Sequence, residues 1–304
     1  MIDLCLLGTG GAMPLPERAL SALLFRVNGT LSLIDCGEGT QVSMRRLGWG
    51  FRALGTIFIS HFHGDHVGGL PGLLLTLGNA GRDEPVDVYG PPGIRRIVRA
   101  LLSIAPYLPF TVNVHEVRAP AEFRVGELAV RVLSLEHSVP CIGYRFSVER
   151  SRPFLPDRAS ALGIPVAHWK KLQRGRRVRI GNRTIAPDDV LGSHRRGLSF
   201  AFITDTNPID PIVDFARDVD LMICEANYAQ EADRPKARER RHMLFSEAAE
   251  LARRSSARRL WLTHYSASIA HPADHLPVAT AVFPGTELGE DLKTTTLRFQ
   301  DEVD

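Results

Sequence analysis

The sequence predicts an α/β fold in which two β-sheets pack as a sandwich, helices cover them, and the whole forms one domain. Three observations point there. Short β-branched and aliphatic runs, bounded by Gly, Pro or charge, cluster towards both ends of the chain. Helix-like stretches lie among them. Composition is that of a compact protein: 304 residues, 44% apolar and 23% charged, with no low-complexity tract.

In chain order, Met1 to Leu7 reads as a first strand. It is too short for a signal peptide, lacks a basic flank, and runs into Gly8-Thr9-Gly10-Gly11. Buried strands are expected at Leu31–Ile34, Thr56–Ser60, Val130–Leu135, Ser199–Thr204 and Arg259–Thr263. Helices are expected at Gly69–Asn79, Gly93–Ala105 and Ser246–Arg254, the last capped by Ser246 with Glu247 in its first turn. From about Arg150 to Gly197 the rhythm breaks. This stretch is rich in Pro, Gly and Arg, its apolar residues are too sparse for a core, and it reads as an insertion projecting from the domain. Within it, Arg177–Ile180 and Arg183–Ile185 flank Gly181-Asn182 as a β-hairpin would.

No apolar run approaches the roughly 18 residues of a bilayer span, so a cytoplasmic location is expected. Four cysteines, Cys5, Cys36, Cys141 and Cys224, are scattered singly and are expected to be reduced core residues. A net charge of +3 neither demands nor excludes a nucleic-acid partner. Its distribution matters more.

Four predicted strands run into residues that bind metals: Ile59-Ser60 into His61, Leu135-Glu136 into His137, Ile203-Thr204 into Asp205, and Leu262-Thr263 into His264. Ligands at the same end of neighbouring strands converge in space. In the segment His61-Phe62-His63-Gly64-Asp65-His66, the first two histidines face one way from an extended chain, and Gly64 permits the turn that brings Asp65 and His66 round. A chance match to this pattern is on the order of one in a thousand for such a chain.

Imidazole and carboxylate suit Zn²⁺ where open positions are needed. Seven ligands are too many for one tetrahedral ion. Two ions fit: His61, His63 and His137 on the first, Asp65, His66 and His264 on the second, and Asp205 bridging. Two ions about 4 Å apart can stabilise both the attacking and the leaving oxygen of a phosphodiester. Glu225, after the apolar run Leu221–Cys224, is placed to orient and charge His242 as a proton donor to the departing oxygen; a structural hydrogen bond is the competing reading. Asp35, at another strand end, either fixes the tautomer of a ligand histidine or caps a loop. His115, His168, His194, His271 and His275 lack comparable context and read as surface or structural residues.

Nearly the whole chain resembles the ribonuclease Z family, tRNA 3′-end processing endonucleases of the metallo-β-lactamase superfamily. The resemblance rests on Leu7-Gly8-Thr9-Gly10-Gly11, Asp35-Cys36-Gly37-Glu38-Gly39-Thr40-Gln41, His61 to His66, His137 with Gly143-Tyr144, Thr204-Asp205-Thr206, Cys224-Glu225-Ala226, His242-Met243 and Leu262-Thr263-His264-Tyr265-Ser266. It implies an αββα four-layer sandwich with a projecting basic arm, Asp65 as general base as well as ligand, and the Glu225–His242 pair as proton donor. It also implies two zinc (or manganese) ions per subunit, a precursor tRNA substrate and a homodimer in which one subunit's arm serves the other's active site.

The insertion corresponds to the family's RNA-gripping arm. Between Trp169 and Arg183 it offers Lys170, Lys171, Arg174, Arg176, Arg177, Arg179 and Arg183 with no acidic residue, a charge distribution that binds phosphate, and recognition would rest on the shape of folded RNA. The sequence departs from the family pattern at Gly192-Ser193-His194, where Gly-Pro-Pro is expected, at Asn207, where Arg often stands, and at Pro14 to Arg18, which lacks a lysine. These positions bear on RNA docking and leave the metal ligands intact. The expected reaction is cleavage of precursor tRNA after the discriminator nucleotide. A small-molecule phosphodiesterase or arylsulfatase-like hydrolase on the same scaffold is the enzymatic alternative, and an RNA-binding protein with a degenerate site is the non-enzymatic one.

Overall fold

The computed structural model of the chain describes residues 1–299. Its strands are β1 (Ile2–Gly8), β2 (Ala22–Val27), β3 (Thr30–Ile34), β4 (Leu54–Phe58), β5 (Val86–Gly90), β6 (Val112–Glu116), β7 (Ala121–Val125), β8 (Leu128–Leu135), β9 (Cys141–Arg150), β10 (Val178–Ile180), β11 (Arg183–Ile185), β12 (Arg195–Ile203), β13 (Leu221–Glu225), β14 (Leu260–Thr263), β15 (Thr286–Leu288) and β16 (Thr294–Leu297). One seven-stranded sheet runs β16-β1-β2-β3-β4-β5-β6, and a second runs β15-β14-β13-β12-β9-β8-β7. Each is mixed. β3 to β6 are parallel in the first, and β12 to β15 are parallel in the second.

Two-residue alternation sets the layers. Along β12, Phe200 and Phe202 alternate with Ala201 and Ile203. Ala201 and Ile203 join the outer cluster beneath the helix Phe245–Arg254, with its Phe245, Ala248, Ala249 and Ala252. Phe200 meets Phe25 of β2 at 5.1 Å between ring centroids, and Phe58 of β4 meets Phe146 of β9 at 4.9 Å. These rings fill the space between the sheets. On the outer face of the first sheet, Leu70, Leu73, Leu74 and Leu77 of the helix Leu70–Asn79, with Ile94 and Val98 of the helix Ile94–Leu102, cover Leu24, Leu33, Ile57 and Val88. The result is helix, sheet, sheet, helix.

Backbone contacts separate the described chain into two compact units, one of Met1–Ser147 with Ser199–Arg298, the other containing Val148–Leu198. The second unit corrects one expectation. Its apolar residues are not too sparse for a core: Ala159, Ile164, Leu172, Val178, Ile185 and Val190 are buried together, with Phe154 and Trp169 packed on them. Two short helices, Pro156–Ala161 and Val166–Gln173, supply part of that core, which a search for strands and turns overlooks. The hairpin forms as expected, with β10 and β11 antiparallel and Gly181 in its turn at φ +58°, a conformation glycine takes freely.

A second correction concerns Ser246. The helix starts one residue earlier, at Phe245, so Ser246 lies inside its first turn and its hydroxyl donates to Glu231. The end is closed instead by Glu247, whose carboxylate accepts the Leu244 N–H at 3.0 Å, the return half of a capping box. All four cysteines are buried and free. No helix among the described residues is long and apolar enough to cross a membrane.

Candidate active site

In α/β sheets, ligands gather where parallel strands end at their carboxyl side. Here β3 leads into Asp35, β4 into His61, β12 into Asp205, β13 ends on Glu225, and β14 leads into His264. Asp35 and His264 both adopt φ +57°, a left-handed conformation uncommon outside glycine. It turns the chain sharply as it leaves the strand.

The structure brings all seven expected ligands together. One group of potential ligand atoms comprises His61, His63, His137 and Asp205, and another Asp65, His66 and His264, each group lying within 4.8 Å. Asp205 faces both. Its Oδ2 lies 3.7 Å from His61 Nε2 and 3.6 Å from His137 Nε2, while its Oδ1 lies 3.4 Å from His66 Nε2 and 3.3 Å from His264 Nε2. Asp65 Oδ2 is 3.3 Å from His264 Nε2. Asp205 thus lies between the two groups.

The donor set fits divalent cations on two further grounds. Asp35, Asp65, Asp205 and Glu225 are buried, and among the described residues their ion-pair partners are histidines alone. Buried carboxylates without Lys or Arg need positive charge from elsewhere. Ring nitrogens also converge on one another: His66 Nε2 and His264 Nε2 are 3.0 Å apart, and His61 Nε2 is 3.1 Å from His63 Nδ1.

Protonation favours ligation. Burial would raise the pKa of Asp65 and Asp205, but His264 and His66 hold both below the usual carboxylate range. Burial, reinforced by His66, pushes His61 well down, and burial lowers His137 despite Asp205, so both are the neutral imidazoles that metals bind. At His66 the balance reverses. Burial opposes charge, yet Asp205 and Asp35 draw its pKa well up, so a proton and a cation compete for this ring.

Supporting contacts fix the rings. Asp35 Oδ2 accepts from His66 Nδ1 at 2.8 Å and from the Ser60 hydroxyl at 2.8 Å, and Asp35 Oδ1 accepts the Ser60 N–H at 2.7 Å. Asp35 therefore orients a cluster histidine, one of the two roles expected for it. A contact at Nδ1 leaves Nε2 to face the cluster. His137 Nδ1 similarly lies 3.2 Å from the Arg241 carbonyl oxygen.

His242 comes within 3.0 Å of Glu225 through Nδ1, and with Asp205 and His264 it forms a third group of potential ligand atoms. Glu225 is fully buried; it also accepts the N–H groups of Thr206 at 2.7 Å, Asn227 at 3.2 Å and Met243 at 3.4 Å. Burial would lower the pKa of His242, but the Glu225 charge and hydrogen bond lift it to about 9.

Sequence analysis quoted Leu7 to Gly11 as a motif but gave the loop Thr9–Ala12 no role at the site. The Ala12 N–H donates to Asp65 Oδ2 at 2.6 Å, and a Cβ on Gly11 would sit 2.6 Å from His264 Cε1. Backbone donors carry no side-chain signature; only the paired Gly10-Gly11 hints that something packs against the chain there. Arg241 was missed too, since its part depends on the fold. Of the departures, Asn207 donates through Nδ2 to Glu136 Oε1 at 3.1 Å. The seven arm cations are all exposed: Lys170 and Lys171 on the helix Val166–Gln173, Arg179 and Arg183 on the hairpin, and Arg174, Arg176 and Arg177 between them.

Comparison with known proteins places the fold and the family. A family model for the beta-lactamase superfamily domain matches residues 160–265, and one for the anti-Pycsar protein Apyc1 matches residues 2–103. The metallo-β-lactamase fold protein YhfI from Bacillus subtilis superposes with a TM-score of 0.71 at 18% identity, covering 97% of this chain and 98% of that one. Fold and site thus define a protein of the metallo-β-lactamase fold with a histidine and aspartate cluster suited to metal ions. Among its relatives, ribonuclease Z of Lachnoclostridium phytofermentans is 44% identical over 98% of this chain and 99% of that protein, and ribonuclease Z of Lachnospira eligens is 43% identical over 99% and 100%. The short form of human tRNase Z superposes with a TM-score of 0.70 at 26% identity, covering 97% of this chain and 99% of that one. The chain belongs to the ribonuclease Z family, metal-dependent endoribonucleases that hydrolyse phosphodiester bonds.

Proposed function

We propose that this chain removes the 3′ trailer from precursor tRNA by cutting after the discriminator nucleotide, leaving a 3′-hydroxyl on the tRNA and a 5′-phosphate on the trailer. The observation that carries the reading is the buried Glu225 holding His242 beside the seven-donor cluster, in a chain that aligns end to end with ribonuclease Z relatives. Two zinc ions, with manganese as the alternative, would be held by the cluster, with His61, His63 and His137 for one, Asp65, His66 and His264 for the other, and Asp205 available to both. When bound, such ions make water a nucleophile near neutral pH and stabilise charge on the attacking and leaving oxygens.

The residues divide the remaining work. Asp65, steadied by the Ala12 N–H, takes the proton from the attacking water. His242, kept protonated by Glu225, gives its proton to the departing 3′-oxygen. The arm cations Lys170, Lys171, Arg174, Arg176, Arg177, Arg179 and Arg183 bind the RNA backbone. The same reading includes a homodimer in the cytoplasm, with residues 150–197 acting as the inserted arm of a single catalytic domain.

The test compares the zinc-loaded protein on a 3′-extended precursor tRNA and on bis(p-nitrophenyl) phosphate. Cleavage of the precursor at nanomolar enzyme supports the reading. Hydrolysis of the small diester with an intact precursor overturns it in favour of a small-molecule phosphodiesterase.

A further inference from the structure

Arg241 stands immediately before His242 and embraces His137 from two sides. Its carbonyl oxygen lies 3.2 Å from His137 Nδ1, and its Nη1 donates to the His137 carbonyl oxygen. The side chain is therefore tied to the backbone of His137, whose ring centroid lies 5.2 Å from that of the proton donor.

The Arg241 guanidinium forms no ion pair among the described residues. Arg234 and Arg238, on the preceding helix Arg234–Arg240, both pair with Glu247. Arg241 is exposed and has no carboxylate partner among the described residues. With one N–H committed to His137, the rest of its planar fork remains free for a phosphate. Its backbone adopts φ +57°, a conformation that glycine takes at lower cost. The turn itself gives no reason for an arginine.

We propose that the Arg241 guanidinium grips a backbone phosphate on the tRNA side of the cut, among the last nucleotides that stay with the tRNA. The inference rests on the tRNA-processing reading. There, His242 protonates the leaving 3′-oxygen, and that oxygen belongs to the discriminator nucleotide. A cation adjoining His242 therefore faces the tRNA rather than the trailer.

Arg241→Gly tests this, since it removes the side chain, suits the left-handed turn and keeps the carbonyl that meets His137. Three quantities are measured on zinc-loaded wild type and variant: affinity for a tRNA ending at the discriminator 3′-hydroxyl over a range of KCl, affinity for a 5′-phosphorylated trailer oligonucleotide, and zinc per chain. The expected result is about tenfold weaker tRNA binding. The slope of log affinity against log salt should flatten by about one, with trailer affinity and zinc content retained. Arg241→Lys, which keeps the charge without the fork, should recover the salt slope and part of the affinity.

Equal losses on tRNA and trailer, or a parallel loss of zinc, would place the role of Arg241 in supporting His137 and overturn the proposal, as would unaltered tRNA binding. If the wild type itself leaves precursor tRNA uncut, the underlying reading fails and takes this inference with it. A wild type that cuts beside a variant that binds normally defeats the inference alone.

Discussion

His242 Nδ1 lies 3.0 Å from Glu225 Oε1, and the carboxylate that holds it has no exposure to solvent. Three backbone N–H groups hold that carboxylate, which orients the imidazole and, against burial, lifts its pKa to about 9. Replacing His242 with Ala should lower kcat by about 10²- to 10⁴-fold, the usual worth of general acid catalysis, with zinc content retained. Glu225→Gln should cause a smaller loss in the same direction. Single-turnover cleavage of precursor tRNA at saturating enzyme measures both. A His242→Ala protein that loses zinc along with activity would make His242 a ligand instead.

Asp35 binds His66 and Ser60 together. Asp35→Asn should weaken zinc affinity by roughly 10- to 100-fold, the common cost of removing such support, as read by competition with a chromogenic chelator. Unaltered affinity would reduce Asp35 to a loop residue.

Gly11 is a steric rather than a chemical element of the site. Since a Cβ there would overlap the His264 ring at 2.6 Å, Gly11→Ala should displace His264 and lower zinc per chain towards one, measurable by elemental analysis. A variant that keeps two ions would show that the loop yields at little cost.

The unit containing Val148–Leu198 has its own core and carries the seven exposed cations. Deleting residues 155–190 should weaken precursor tRNA binding while sparing hydrolysis of bis(p-nitrophenyl) phosphate. Equal losses on both substrates would count against an RNA-binding arm.

Strand-end chemistry made much of the site legible in the sequence. His61 to His66 form a contiguous pattern, and His137, Asp205 and His264 each follow a β-branched or aliphatic run that reads as a strand, although the one before His137 is buried on one face only. The hairpin at Gly181-Asn182 was legible for the same local reason. What escaped was tertiary. Glu247 reaches back to the Leu244 N–H at the start of the helix, so a cap read at Ser246 lay two residues beyond the N-cap the structure has, Leu244. The arm's core is assembled from residues spread between Ala159 and Val190, with no periodicity to reveal it. Ala12 acts through its backbone N–H, which no choice of side chain records, and Arg241 meets His137 through its carbonyl and its guanidinium only once the chain has folded.

The central claim is that these seven ligands, with His242 beside them, cut RNA at one defined bond. The most direct measurement maps the product ends when zinc-loaded protein and its Asp65→Ala variant are incubated with a 3′-extended precursor tRNA. The account predicts a single cut after the discriminator by the wild type, with a 3′-hydroxyl on the tRNA and a 5′-phosphate on the trailer, and no cut by the variant. Cleavage by the variant at the wild-type rate, or ends of the opposite polarity, would contradict it.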